Sequence, residues 1–280
     1  MVLFEWMGIL LRCAKNILGN LMASTASTQV IQSELLCLLK IFDSFCMQHS
    51  INYSLHGGSL LGAVRNKGFI EWDDDADVSM TRKNFDKFLE AIKSSSPNFH
   101  CDLNTSQRPM IWSSDPSSFV WIDVFVYDFI SENRLFQRCK LGTSIFFLAL
   151  TKTPKTMKIF RSGVHRKGWK RVSVEIIYLL GRLFPQKVKL ALWRFLSINF
   201  FNGSKQLIFR TNDQYIGLKK ILPSRTMEKY TRLPFEDTCL QVTRDWHEIL
   251  LSCYGHDYMA PKREKDLVVD AHNTYRKFKK

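Results

Sequence analysis

The sequence predicts an α/β (α+β) fold: a nucleotidyltransferase-like mixed sheet with flanking helices and a helical subdomain behind it. Three observations carry this. A glycine turn stands between a short strand and a helix start at residues 51–64. A D-x-D pair, Asp75 and Asp77, opens a second strand, and a lone acid, Asp123, sits inside a third, strongly apolar one. After residue 140 the strand signals give way to long apolar stretches separated by basic turns.

In chain order, VIQSELLCLLKIFDSFCMQHS places apolar residues at 31, 35, 38, 42 and 45. That is helical spacing, and the helix should run from Thr28 to near His49. Ile51 to Leu55 alternates as a short strand, and Leu60 to Val64 forms one or two helical turns. Ala76 to Met80 reads as a strand and Lys83 to Lys93 as a helix. The run FVWIDVFVYDF (119–129) is aromatic and β-branched, the composition of a central strand. From Leu141 to Asn202 the pattern predicts two or three helices punctuated by Pro154 and Pro185. Strand-like pieces follow near Lys219–Pro223 and Thr238–Val242, then a helix over about 245–253. The expected organisation is an apolar N-terminal helix (1–27), a catalytic core (28–140), a basic helical subdomain (141–217), and a C-terminal return to the core with a charged tail (218–280).

Composition excludes several classes. With 45% hydrophobic and 13% aromatic residues, including seven Trp, the 280-residue chain can bury a core and is not disordered. Its seven Cys are odd in number and lack any C-x-x-C pair, so they read as reduced thiols of a cytoplasmic protein. The seven His are scattered, which argues against a zinc site or a Cys-His nucleophile.

The formal net charge is +14, and its distribution is uneven. Thr151 to Lys189 holds eleven Lys/Arg against one acid, Glu175, whereas Glu71 to Glu90 holds seven acids against three bases. A basic segment beside a concentrated acidic cluster points to a metal–nucleotide site. No apolar run reaches the roughly 18 residues of a spanning helix. The N-terminal VLFEWMGILL is interrupted by Glu5 and its cations follow it, unlike an export signal. The expected location is therefore the cytoplasm, with the apolar N-terminal helix either packing on the core or, through Phe4, Trp6 and Ile9, joining the basic segment in peripheral contact at an anionic inner membrane face.

Asp75 and Asp77 are two apart on a strand, so their side chains share a face. Paired carboxylates repel, and hard oxygen ligands select Mg²⁺ or Mn²⁺. Asp123 is the candidate third ligand, because an unpaired charge inside an apolar strand would be costly. Gly57, Gly58 and Ser59 suit a backbone that approaches phosphate closely at a helix start. His56 beside them suits either substrate contact or a loop role. Asp128, at the far end of its strand, reads as a turn residue, and Tyr254, Gly255 and Tyr258 as packing for the last helix.

Taken together, HGGSLLGAVRNKGFIEWDDDADVSM (56–80) resembles the signature of the LicD family, G-G-T-L-L-G-A-x-R-H-x-G-F-I-P-W-D-D-D-x-D. WIDVFVYD, LPFEDTCLQV and LLSCYGHDYMAPKR are similar to further elements of that family, so roughly residues 30–130 and 218–265 are covered. The resemblance implies a transferase that moves a phospho-alcohol, most often phosphocholine, from a CDP-activated donor such as CDP-choline. The acceptor would be a sugar hydroxyl of a cell-surface glycan or lipopolysaccharide precursor, free or lipid-linked. It implies that Asp75, Asp77 and Asp123 bind metal, and that Gly57, Gly58, Ser59, Arg65, Lys67 and Asp74 contact the substrate or nucleotide. Asn66 and Glu71 depart from the motif's His and Pro. Alternative activities are nucleotidyl transfer to a small molecule or RNA, and ribitol-phosphate transfer to a glycan; no RNA-binding module is recognisable.

Overall fold

A computed structural model of the chain describes residues 28–95, 97–162 and 168–260. Helix α1 (Thr28–Gln48) buries Leu35, Leu38, Leu39, Phe42, Phe45 and Cys46 along one face, the i, i+3, i+4 stripe expected of it. Phe42 meets Tyr53 edge-on at 4.9 Å and Phe88 at 5.6 Å, which fastens the helix over the core.

The short strand β1 (Ser54–Leu55) leads directly into α2 (Gly57–Arg65), and β2 (Ala76–Thr81) into α3 (Arg82–Ser95). Two short strands, β3 (Phe99–Asp102) and β4 (Met110–Ser113), precede the ten-residue β5 (Trp121–Ile130). The sheet is mixed. β5 runs parallel to β2, with β1 antiparallel on the far side of β2. On its other edge β5 pairs antiparallel with β4 through its first half and with β6 (Leu207–Arg210) through its second; β7 (Ile221–Pro223) extends β6. The seven-stranded sheet thus curls about its member β5, which is buried along most of its length, as its strongly apolar run requires.

The helical part comprises α4 (Arg134–Leu150), α5 (Pro154–Ser162), α6 (Trp169–Gly181) and α7 (Gln186–Asn199). Four helices stand where the apolar stretches predict two or three. Asn133 explains the early start of α4: its side chain accepts from the Leu135 and Phe136 N–H groups, a cap that launches the helix upstream of its apolar residues. The helix consequently crosses residue 140, where the sequence suggests a boundary. A one-turn helix, α8 (Tyr215–Leu218), precedes β7. The hairpin β8 (Tyr230–Phe235) and β9 (Thr238–Thr243) then leads to α9 (Trp246–Tyr254). That hairpin returns to β1: the Tyr53 N–H donates to Gln241 Oε1, and the Thr243 N–H to Ser54 Oγ.

Asp128 is not a turn residue. It is buried in β5, where Arg82 donates to both carboxylate oxygens at 2.8 and 2.7 Å, and the Thr211 hydroxyl also donates to it. The cysteines among the described residues (37, 46, 101, 139, 239, 253) are free thiols. No helix among these residues is long and apolar enough to cross a membrane. Phe4, Trp6 and Ile9 lie outside the described residues.

Candidate active site

The parallel pairing of β2 and β5 sets Asp77 opposite Asp123. Asp75 lies two residues before Asp77, just ahead of β2, so the three acids gather where both strands begin. Desolvation holds the Asp77 carboxyl well above the ordinary carboxylate range, and Asp75 and Asp123 add repulsion. Asp123 is raised too, chiefly by burial; the Arg108 guanidinium counters this and Asp75 adds to it. The site therefore concentrates negative charge that its own residues only partly offset.

The glycine turn is built around these acids. Gly57 has φ +54°, and a Cβ there would stand 2.6 Å from Asp77 Oδ2. A Cβ at Gly58 would collide with Asp73 Oδ2. The Asp77 N–H donates to Ser59 Oγ at 3.0 Å, and the His56 N–H donates to the Asp77 carbonyl at 2.9 Å. Gly57, Gly58, Ser59, Asp75, Asp77 and Asp123 thus form one cluster at the α2 N-terminus, where unpaired N–H groups and the helix dipole favour negative charge. The glycines bring the backbone close to carboxylates as the chain stands.

Arg65 and Lys67 are placed elsewhere. Arg65 ends α2, about 12 Å of helix rise from Gly57, and its Nε donates to Asn66 Oδ1. Lys67 is exposed with φ +57°. Asp74 is half-buried in the loop before β2. That loop is held from two sides. Gln32 Nε2 donates to the Ile70 and Asp73 carbonyls at 2.9 and 2.8 Å. At the β8–β9 turn, Glu236 Oε1 accepts from the Phe69 N–H at 2.8 Å, and the Glu236 N–H donates to the Lys67 carbonyl. Phe235 packs on Phe69 at 4.8 Å. Glu236→Ala strands the Phe69 donor and should cost about 1–2 kcal/mol, read as a lowered thermal midpoint, while Glu236→Gln keeps an acceptor and most of the stability.

Arg108, Trp121, Arg210 and Asp213 join the site without having been singled out by the sequence. Arg108, from the β3–β4 connection, donates to Asp123 Oδ2 at 3.1 Å and pairs with Asp213 at 3.7 Å, its guanidinium 4.3 Å from the Phe125 ring centre. Trp121 Nε1 donates to Asp123 Oδ1 at 3.2 Å. Arg210 pairs with Asp213 at 2.7 Å and donates to His56 Nε2 at 2.7 Å. Because arginine can only donate, His56 Nε2 accepts and the ring proton sits on Nδ1, a buried atom with no hydrogen-bond partner among the described residues. Burial and the charges of Arg210 and Arg108 keep this imidazole neutral, well below its ordinary pKa. The Tyr254 hydroxyl is pushed up by burial, then by Cys253 and the three acids Asp77, Asp73 and Asp75. Spacing could not find Arg108, Arg210 or Asp213, since they reach Asp123 only through the sheet.

Among the described residues no three Asp, Glu, His or Cys side chains already converge as a ready coordination sphere. The donor set nevertheless suits a hard divalent cation. It offers carboxylate oxygens only, on adjoining strand ends, with mutual repulsion that a cation would relieve.

A mixed sheet with acids at the mouth of two parallel strands, beside a glycine-opened helix, suits phosphate-bearing substrates. Residues 50–158 match the family described as LicD/FKTN/FKRP, nucleotidyltransferase domain. The lipopolysaccharide cholinephosphotransferase LicD of Haemophilus influenzae is 28% identical over 261 residues, covering 84% of this chain and 93% of the relative. Residues 50–158 thus carry a LicD-family domain, and the similarity to LicD extends over most of the chain.

Proposed function

We propose that this enzyme transfers phosphocholine from CDP-choline to a sugar hydroxyl of a lipopolysaccharide or related glycan precursor. The observation that carries the reading is the in-register pair Asp77–Asp123, with Asp75 alongside, at the N-terminus of α2. The similarity to a cholinephosphotransferase over most of both chains supports the choice of group and acceptor.

Asp75, Asp77 and Asp123 would hold Mg²⁺ or Mn²⁺. An ion held there would supply positive charge against the donor's diphosphate and the departing CMP. The chain's own contribution is positioning and charge. Ser59 and the glycine turn fix Asp77, and Arg108 and Trp121 orient Asp123 through its two oxygens. The neutral His56, buried behind the glycine turn, accepts from Arg210 and so ties that guanidinium to the turn. Asp123, or a carboxylate beside it, accepts the proton of the attacking hydroxyl.

Incubating the protein and Mg²⁺ with a panel of CDP-alcohols and nucleoside triphosphates, together with a glycan acceptor, tests this. CMP release with CDP-choline is the expected result. CMP with CDP-ribitol alone would move the assignment to ribitol-phosphate transfer, and pyrophosphate release from a triphosphate would replace it with nucleotidyl transfer.

A further inference from the structure

Helices α6 and α7 each bury one face and leave an apolar stripe outside. On α6, Trp169, Val172, Ile176, Leu179 and Leu180 recur at helical spacing with about half or more of their surface exposed, Trp169 reaching 75%. Tyr178 and Gly181, on the other side, are buried, and a Cβ on Gly181 would strike the Leu150 carbonyl of α4. On α7, Val188, Leu192, Phe195 and Ile198 are exposed while Leu190 and Trp193 are buried. Leu183 and Phe184, in the turn joining the two helices, are 75% and 55% exposed. The apolar surface thus continues along the chain from Trp169 to Ile198. Stripes of this extent on a chain that can bury its core mark an interaction surface.

The charge around it selects the partner. Residues 134–200 contain fifteen Lys/Arg and a single acid, Glu175. Glu175 is itself held by Arg161, which donates to both of its oxygens at 2.9 and 2.6 Å. Arg182 and Lys187, both exposed, bracket the Leu183–Phe184 turn. A second copy of the chain would bring cation against cation. The N-terminal segment 1–27 has two bases and one acid, so it offers no complement either. Apolar side chains flanked by cations, with no uncompensated acid, match an anionic lipid surface, into whose interface the side chains insert while the cations meet headgroup phosphates.

We infer that the α6–α7 segment docks this enzyme on anionic membrane. The inference uses this surface alone and holds whichever phospho-alcohol is transferred, because binding is read without turnover.

Co-sedimentation of the full chain with phosphatidylcholine vesicles, and with vesicles of phosphatidylcholine and phosphatidylglycerol, tests it. Binding is expected only to the anionic vesicles and should weaken as salt rises. Leu183→Glu with Phe184→Glu should reduce it about tenfold or more at an unchanged thermal midpoint. Should that variant not fold, Ile176→Gln with Leu192→Gln gives the same readout on the helix faces. Protein left in the supernatant with anionic vesicles at low salt overturns the inference. So does undiminished binding by folded variants of both pairs, or a dimer that the same substitutions dissolve while vesicles stay bare.

Discussion

Asp77→Asn should lose about 10³-fold or more of turnover, roughly 4 kcal/mol of transition-state stabilisation, and at the same time stabilise the protein when divalent cations are chelated. The two effects have one cause. Asp77 sits opposite Asp123, next to Asp75 and against Gly57, and its carboxyl is held well above the ordinary range first by burial and then by its neighbours' charge. A carboxyl raised on folding binds its proton more tightly in the native state than in the unfolded one. Its ionised form therefore costs stability at neutral pH, and that cost fades as pH falls through the raised native value. Asparagine removes the charge at nearly the same volume, so the thermal midpoint in chelator should rise by a few degrees, and the gap to the parent should narrow in acid. Added Mg²⁺ should raise the parent's midpoint by mass action and leave Asp77→Asn largely unmoved. Full activity in Asp77→Asn, or equal Mg²⁺ stabilisation of both proteins, would defeat the assignment of Asp77 as a metal ligand.

Arg108 gives the site a second feature. It supplies the positive charge nearest Asp123, and Asp213 and Arg210 extend that pairing to the neutral His56. Along Asp123, Arg108, Asp213 and Arg210 the alternation of acids and bases keeps each charge beside an opposite one, as burial demands. Four chain segments meet here: the glycine turn, β5, the β3–β4 connection and the residues after β6. The site is a product of the sheet's curl more than of any one motif.

Those segments explain what the sequence disclosed and what it hid. α1 announces itself by periodicity, β5 by its aromatic and β-branched run, and the glycine–D-x-D stretch by its local chemistry. Asp123 is legible because a lone acid in such a strand needs a reason. By contrast β3 (FHCD), β4 (MIWS) and β6 (LIFR) are four residues each, with no period to read. They are strands because β5 offers them edges to pair with, a tertiary cause. Arg108, Arg210 and Asp213 become site residues only through that pairing. The start of α4 was hidden in one residue, Asn133, whose cap outweighs the position of the apolar stretch. On α6 and α7 the alternation of apolar and basic residues is plain in the sequence, but which apolar side chains remain outside is decided by how the helices pack on α4 and the sheet.

Gly62→Ala should damage both stability and turnover, with Gly142→Ala as its control. The two substitutions are chemically identical and both fall in helices. A Cβ on Gly62 would collide with the Gly68 carbonyl and crowd the Ile70 N–H at 3.3 Å. The obstacle is backbone, so no rotamer change can relieve it. The loop from Asn66 to Asp75 folds back across α2 at this point, with the Gly62 carbonyl accepting from the Asn66 N–H at 2.8 Å. Pushing the loop outward strains its anchors at Gln32 and Glu236 and carries Asp73 and Asp75 away from the glycine turn. Overpacking of this kind costs about 1–3 kcal/mol, and a displacement near 1 Å at the acids about 10²-fold in turnover. Gly142, exposed in the middle of α4, has nothing within 4 Å of its Cβ position. Alanine there should stabilise the helix by up to about 1 kcal/mol and leave transfer unchanged. Thermal midpoints and steady-state rates of the two variants, measured side by side, decide the matter. If they shift together, the fold-back of the signature loop over Gly62 does not position the acids.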